Sequence, residues 1–109
     1  MIRSLLRLFA APGERDALVS HYLRHNVVSA SAPYGWRGGE VAVSRTDQDV
    51  VIVTSLWPDL AAYESWLLSA EREAVLDRIS SLIDTARPSV TELFDVAQSA
   101  SPAAAEVGL

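Results

Sequence analysis

The sequence predicts an α+β fold, an antiparallel sheet with its helices on one face, in the element order βαββααβ. Three observations predict it. Apolar periodicity alternates along the chain between a strand-like repeat of two and a helical repeat of roughly 3.6. The changes of period fall at breaker residues, Pro12-Gly13, Pro33, Pro58 and Pro88. The most apolar segment, Val50 to Trp57, is rich in β-branched residues and short enough to be a strand.

Ile2 to Ala10 alternates, with Ile2, Ser4, Leu6 and Leu8 on one side and Arg3, Leu5, Arg7 and Phe9 on the other. It reads as a strand ended by Ala11-Pro12-Gly13. From Glu14, Leu18, Val19, Tyr22, Leu23 and Asn26 follow helical spacing, and this helix fades through Ser29 to Ala32 before Pro33. A second strand is expected from Trp36 to Arg45, kinked at the Gly38-Gly39 pair. Thr46 to Asp49 is a polar turn that makes a hairpin with the third strand, Val50 to Trp57. Asp59 is placed to cap a helix over Leu60 to Leu68, and Ser69 a further helix from Ala70 to Asp84. Val75, Leu76, Ile79, Leu82 and Ile83 form the apolar stripe of that helix. Arg87-Pro88 breaks it, and Val90 to Val96 reads as the last strand. This order is the ferredoxin-like plan. The third strand is apolar on both faces, so the face without helices also needs cover, which predicts a homodimer pairing two sheets.

At 109 residues the chain is one domain, expected over residues 1–96, with a small-residue tail over 97–109 laid on the surface or on a partner. The sequence has no cysteine, which excludes disulfides and thiolate chemistry. Its nine basic residues are all arginine, which excludes a Schiff-base lysine and a P-loop lysine. A net charge of −5 argues against nucleic acid or an anionic membrane as partner. No apolar run approaches the ~18 residues that span a bilayer. Arg7 interrupts the apolar start, and removing that start would delete a strand, so the protein is read as cytoplasmic rather than exported.

The segment Ile52-Val53-Thr54-Ser55-Leu56-Trp57-Pro58-Asp59-Leu60-Ala61-Ala62-Tyr63-Glu64-Ser65-Trp66 resembles one in the antibiotic biosynthesis monooxygenase (ABM) superfamily, where a strand ends in Trp and an acidic residue and the next helix carries aromatics. Ala11-Pro12-Gly13-Glu14 resembles the turn closing that family's first strand, whereas its Pro-Gly pair before the second strand is loosened here to Pro33-Tyr34-Gly35. In element order the resemblance covers about residues 2–96. It implies a dimeric α+β barrel with a cleft between sheet and helices in each subunit. Members include cofactor-independent oxygenases of aromatic polyketides and haem-degrading enzymes. For the haem-degrading branch, Trp66 matches the helix tryptophan near haem, but the first-strand asparagine falls on Leu6 and the ligating histidine on Val75. For the polyketide branch, Trp57 and Tyr63 match an aromatic pair lining the cleft, and the strand asparagine falls on Val53.

Trp66, Trp57 and Tyr63 could wall a pocket for a flat substrate by stacking, or Trp57 and Tyr63 could simply fill the core. Trp36 beside the glycine pair suits a ligand or a dimer seam. Arg7 could hold an enolate or phenolate oxygen, or could pair with Arg3 against Glu92 or Asp95 as structural ions. Strand alternation puts Arg7 on the cleft side, whereas the family spacing puts Leu6 there. His21 and His25, at i and i+4, could supply a general base or stand as helix surface residues; without an HExxH pattern no metal site is assigned. Asn26 could hydrogen-bond a substrate carbonyl or end its helix.

The leading expectation is a cofactor-independent monooxygenase that combines an aromatic, polyketide-type small molecule with dioxygen, in a homodimer. Trp66, Arg7, His21 and His25 would carry the chemistry, and Trp36, Trp57, Tyr63 and Asn26 would hold the substrate. Two alternatives stand beside it: a non-catalytic dimeric ligand-binding module, and a haem-binding or haem-degrading protein that uses His21 or His25 as an atypical ligand.

Overall fold

A computed structural model describes residues 1–25 and 28–102. Its sheet has the order β2-β3-β1-β4, every neighbour antiparallel, from β1 (Ile2–Phe9), β2 (Gly39–Val43), β3 (Val50–Trp57) and β4 (Val90–Asp95). The helices are α1 (Arg15–Arg24), α2 (Leu60–Leu67) and α3 (Ala70–Ile79), with 3-10 segments at Val28–Tyr34 and Ser80–Leu82. This is the expected α+β, ferredoxin-like arrangement. Among the described residues, no helix is long and apolar enough to cross a membrane.

Register decides what each face of the sheet carries. Leu6 pairs with Val53, Leu8 with Val51 and Ser4 with Ser55, so these side chains share one face. That face meets the helices, and Leu8, Val51, Leu18, Tyr22, Val75 and Ile79 form the buried core there. The other face holds Arg3, Leu5, Arg7 and Phe9 of β1 beside Ile52 and Leu56 of β3 and Val90, Glu92 and Phe94 of β4. Among the described residues no helix lies over it, and Val90 and Phe94 are 48% and 46% exposed.

Three boundaries differ from expectation by more than two residues. The second strand starts at Gly39 rather than Trp36, because Gly38 takes φ +115°, outside the extended region. Gly39 itself lies so close to β3 that a Cβ would sit 1.9 Å from the Thr54 carbonyl oxygen, so the missing side chain accommodates a neighbouring backbone. Residues expected as the fading end of the first helix form the 3-10 segment Val28–Tyr34, which contains Pro33. α3 stops at Ile79 rather than Asp84: the Ser80 hydroxyl bonds back to the Asp77 carbonyl, and Ile83 leaves to bridge Ala10 at the end of β1.

The expected pairing of Arg3 and Arg7 with Glu92 or Asp95 does not form: Glu92 shares their face beside Leu5 but makes no ion pair among the described residues. Asp95 pairs with Ile2 and so shares the helix-covered face, opposite the arginines. Among the described residues the ion pairs are Arg15–Asp16 and Arg87–Asp47. Arg87 also lies 4.2 Å above the Phe9 ring and fixes that end of the uncovered face.

Candidate functional site

The cleft lies between the helix-covered face and the helices, and the α2–α3 junction builds its polar end. Asp59, in extended conformation, accepts the Ala62 N–H at 2.8 Å and starts α2 directly after β3. The Ser69 hydroxyl donates to the Trp66 carbonyl at 2.7 Å and its oxygen accepts the Arg72 N–H at 3.1 Å. One capping serine therefore ties the last turn of α2 to the first turn of α3 and sets Trp66 beside Arg72.

Two adjoining cavities, about 120 and 70 Å³, share Leu6, Val53, Ser55, Trp66, Arg72 and Thr91 in their walls. Leu8, Tyr22 and Val75 close the larger one, with Leu76 and Ser89 toward its rim; Ser4, Trp57 and Tyr63 close the smaller. The walls are apolar along Leu6, Val53 and Val75, and hydroxyls stand on the sheet side at Ser4, Ser55 and Thr91. Arg72 is the charged side chain lining either cavity. Its guanidinium has a long contact of 3.5 Å to the Leu67 carbonyl and no carboxylate partner among the described residues.

The aromatics divide into frame and wall. Trp57 is 1% exposed, and its indole N–H donates to the Ser4 hydroxyl at 3.0 Å. Tyr63 meets its ring edge-on at 5.7 Å. Both are core residues whose surfaces also reach the smaller cavity. Trp66 is half-buried, lines both cavities, and has Tyr34 against it at 5.9 Å. The Tyr34 hydroxyl donates to Glu71, which fastens the 3-10 segment to α3. Burial raises the Tyr63 phenol above its usual pKa, with Arg72 and the Thr91 hydroxyl pulling the other way. Burial pushes the Tyr22 phenol up to about 12.

Other expected site residues fall elsewhere. Arg7 is exposed on the uncovered face, because Leu6, its neighbour in the strand, points into the cleft; the family spacing and not the alternation had the right phase. His21 and His25 stack on each other at 4.5 Å, and neither lines the cleft, to which α1 presents Tyr22. Burial, then His25, Arg78 and Arg24, hold the His21 imidazole below its ordinary pKa. Trp36 is half-buried ahead of β2 and outside both cavities, its indole N–H without a partner among the described residues. Asn26 lies outside the described residues. Sequence reasoning missed Arg72, Ser55, Thr91 and Tyr22. For Arg72 a signal existed, since a cation in the first turn of a helix opposes the helix dipole and needs another reason to be there.

Haem does not fit these residues. The two positions where the family would place polar haem partners, Leu6 and Val75, line the larger cavity as aliphatics, and both histidines are outside it. Tyr22, with its raised pKa, is a poor phenolate ligand. Among the described residues no group of three or more His, Asp or Glu could hold a metal ion.

A four-stranded antiparallel sheet with helices on one face and a small cleft between the layers defines a ferredoxin-like α+β protein with room for a small molecule. Residues 1–78 match the family described as antibiotic biosynthesis monooxygenase, and the chain belongs to that family. No curated protein matches it significantly. Among solved structures it is similar to Rv0793 from Mycobacterium tuberculosis, with 16% identity, TM-score 0.72, and coverage of 92% of this chain and 98% of that one. A putative antibiotic biosynthesis monooxygenase from Nitrosomonas europaea gives 10% identity, TM-score 0.73 and coverage of 90% and 100%. A single-site variant of SnoaB, a cofactor-independent oxygenase from Streptomyces nogalater, gives 16% identity, TM-score 0.67 and coverage of 90% and 94%.

Proposed function

We propose that the protein is a cofactor-independent oxygenase of a small phenolic or enolic aromatic molecule. The observation that carries this reading is a cleft with apolar walls and a cation, Arg72, that has no carboxylate partner among the described residues, in a chain of the ABM family. The similarity to SnoaB, a cofactor-independent oxygenase by its name, supports it. The chemistry needs little from the protein. An ionised phenol, enol or anthrone is electron-rich enough to pass one electron to dioxygen; recombination forms a C–O bond and a peroxide. Protonation and loss of water leave one oxygen atom on the ring as a carbonyl and the other as water, with all four electrons supplied by substrate. Leu6, Val53 and Trp66 would keep water from the reactive anion, and Arg72 would balance its charge. A cavity of about 120 Å³ suits one aromatic ring, as cavities of roughly 150 Å³ hold benzene. A polycyclic substrate would have to extend past Leu76 and Ser89.

The same reading includes a homodimer, supported by the apolar residues left on the uncovered face of the sheet. Oxygen uptake with a hydroquinone and an anthrone, using metal-stripped protein, tests the activity. Uptake should persist without metal and fall at least about tenfold in Trp66→Ala, given the share of the wall this ring supplies. A second reading, a ligand-binding module without chemistry, is favoured by the aliphatic Leu6, Val53 and Val75 at positions where the family resemblance implies polar groups. Absent uptake together with quenching of tryptophan fluorescence by the same compounds would establish that reading instead.

A further inference from the structure

Among the described residues the cleft contains a cation but no base. Its titratable side chains there are Arg72 and the phenols of Tyr22 and Tyr63, and no carboxylate or imidazole of the described residues lines it. The acids flanking Arg72 are spent or turned to solvent: Glu71 accepts the Tyr34 hydroxyl and Glu73 is exposed. His21, the half-buried imidazole of α1, faces His25, Arg24 and Arg78 instead. A guanidinium has five donors, and among the described residues one makes a contact, a long one to a carbonyl. Around it are the hydroxyls of Ser4, Ser55 and Thr91, which can donate to an oxyanion but cannot take a proton from a phenol at neutral pH.

We infer that the protein does not deprotonate its ligand but captures it already ionised, as a ring-borne oxyanion held by Arg72. The proton leaves to water or buffer before binding, and the cleft selects the conjugate base of an acidic phenol or enol. Apolar walls on Leu6, Val53 and Trp66 take the ring, and the charge goes to the α2–α3 end. A carboxylate on Arg72 would have signalled a structural pair; its absence among the described residues leaves the charge available to a ligand. The inference rests on the cleft being the ligand site, as proposed above, and is independent of oxygen chemistry.

The test is spectroscopic and needs no turnover. 4-Nitrophenol changes its absorption on ionising, so titrating it with protein across its own pKa reports the protonation state of the bound molecule. Bound probe should carry the phenolate band below the pH at which free probe ionises, an apparent pKa lowered by about one unit, equivalent to about tenfold preference for the anion. The neutral methyl ether, 4-nitroanisole, should bind about tenfold more weakly. Arg72→Met, checked for folding by circular dichroism, should lose both the shift and the preference, and Arg72→Lys should restore part of the shift. A bound pKa that is unchanged or raised, a shift that survives in Arg72→Met, or no binding of either probe would overturn the inference. A shift without oxygen uptake would leave it standing and remove the oxygenase reading; uptake of oxygen without a shift would do the reverse.

Discussion

The two faces of the sheet are built from the same strands, whose residues alternate between them, yet they differ in almost every physical respect. On the covered face, Leu8, Val51 and Trp57 are at most 3% exposed and the Ser4 hydroxyl accepts the Trp57 indole N–H. On the uncovered face, one residue along each strand, Arg7, Ile52 and Val90 lie in register with no layer over them. The cleft and its chemistry belong to the first face, and the second offers area for another sheet. The lesson is that a one-residue difference in strand phase separates a binding site from an assembly surface, because side chains of consecutive strand residues point opposite ways.

Truncating neighbours from the two faces should break this comparison most visibly. Trp57→Ala removes the largest fully buried side chain and leaves the Ser4 hydroxyl without its donor. A loss of about 3–5 kcal/mol is expected in urea denaturation, enough to unfold much of a marginally stable domain. Leu56→Ala, the adjacent residue on the other face, should cost less than half as much in the isolated subunit. Equal losses would show that both faces are equally buried in solution.

The next largest effect concerns assembly. Phe94, in register with Arg3 on the uncovered face, is 46% exposed in the subunit. If two sheets pack there, Phe94→Glu buries an unpaired charge and should weaken association by about 2–4 kcal/mol. Sedimentation equilibrium should then change from twice the 11.8 kDa chain mass to the single mass, with circular dichroism unaltered. A wild-type chain that already sediments at single mass would remove the dimer from the proposal.

Much of this contrast is legible in the sequence. The third strand, Val50 to Trp57, is read to the residue because a β-branched run from Val50 to Thr54 starts it directly after a polar turn and Pro58 ends it. Asp59 and Ser69 cap their helices as expected, since short acceptors ahead of apolar repeats have a single local use. The phase of β1 is not fixed by local pattern, because leucines occur on both of its sides; pairing to β3 decides it. Arg72 is hidden for another reason. Between Glu71 and Glu73 it looks like one charge of a solvated helix face, and only the Ser69 junction turns it toward the cleft. Where α3 stops is likewise set by a tertiary partner, the end of β1, which takes Ile83 and Asp84 out of the helical repeat.

The smallest expected effect sharpens the comparison from outside the sheet, through the histidine that the cleft does not use. The His21 imidazole has its pKa lowered in the folded chain, by burial first and then by His25, Arg78 and Arg24. A base whose folded pKa is depressed contributes stability above its unfolded value of 6.5, and that contribution is lost as the pH falls through the folded pKa. His21 should therefore steepen the decline of stability on the acid side of neutrality, by well under about 1 kcal/mol because the ring is partly exposed. His21→Gln should flatten that decline in urea melts at pH 7 and about pH 5. Ligand binding should keep the same pH profile in the variant, since the groups that face the ligand are Arg72 and hydroxyls. Should the binding profile instead lose a limb in His21→Gln, the imidazole takes part in the cleft after all, and the division between a cleft with a cation and a helix with a base no longer holds.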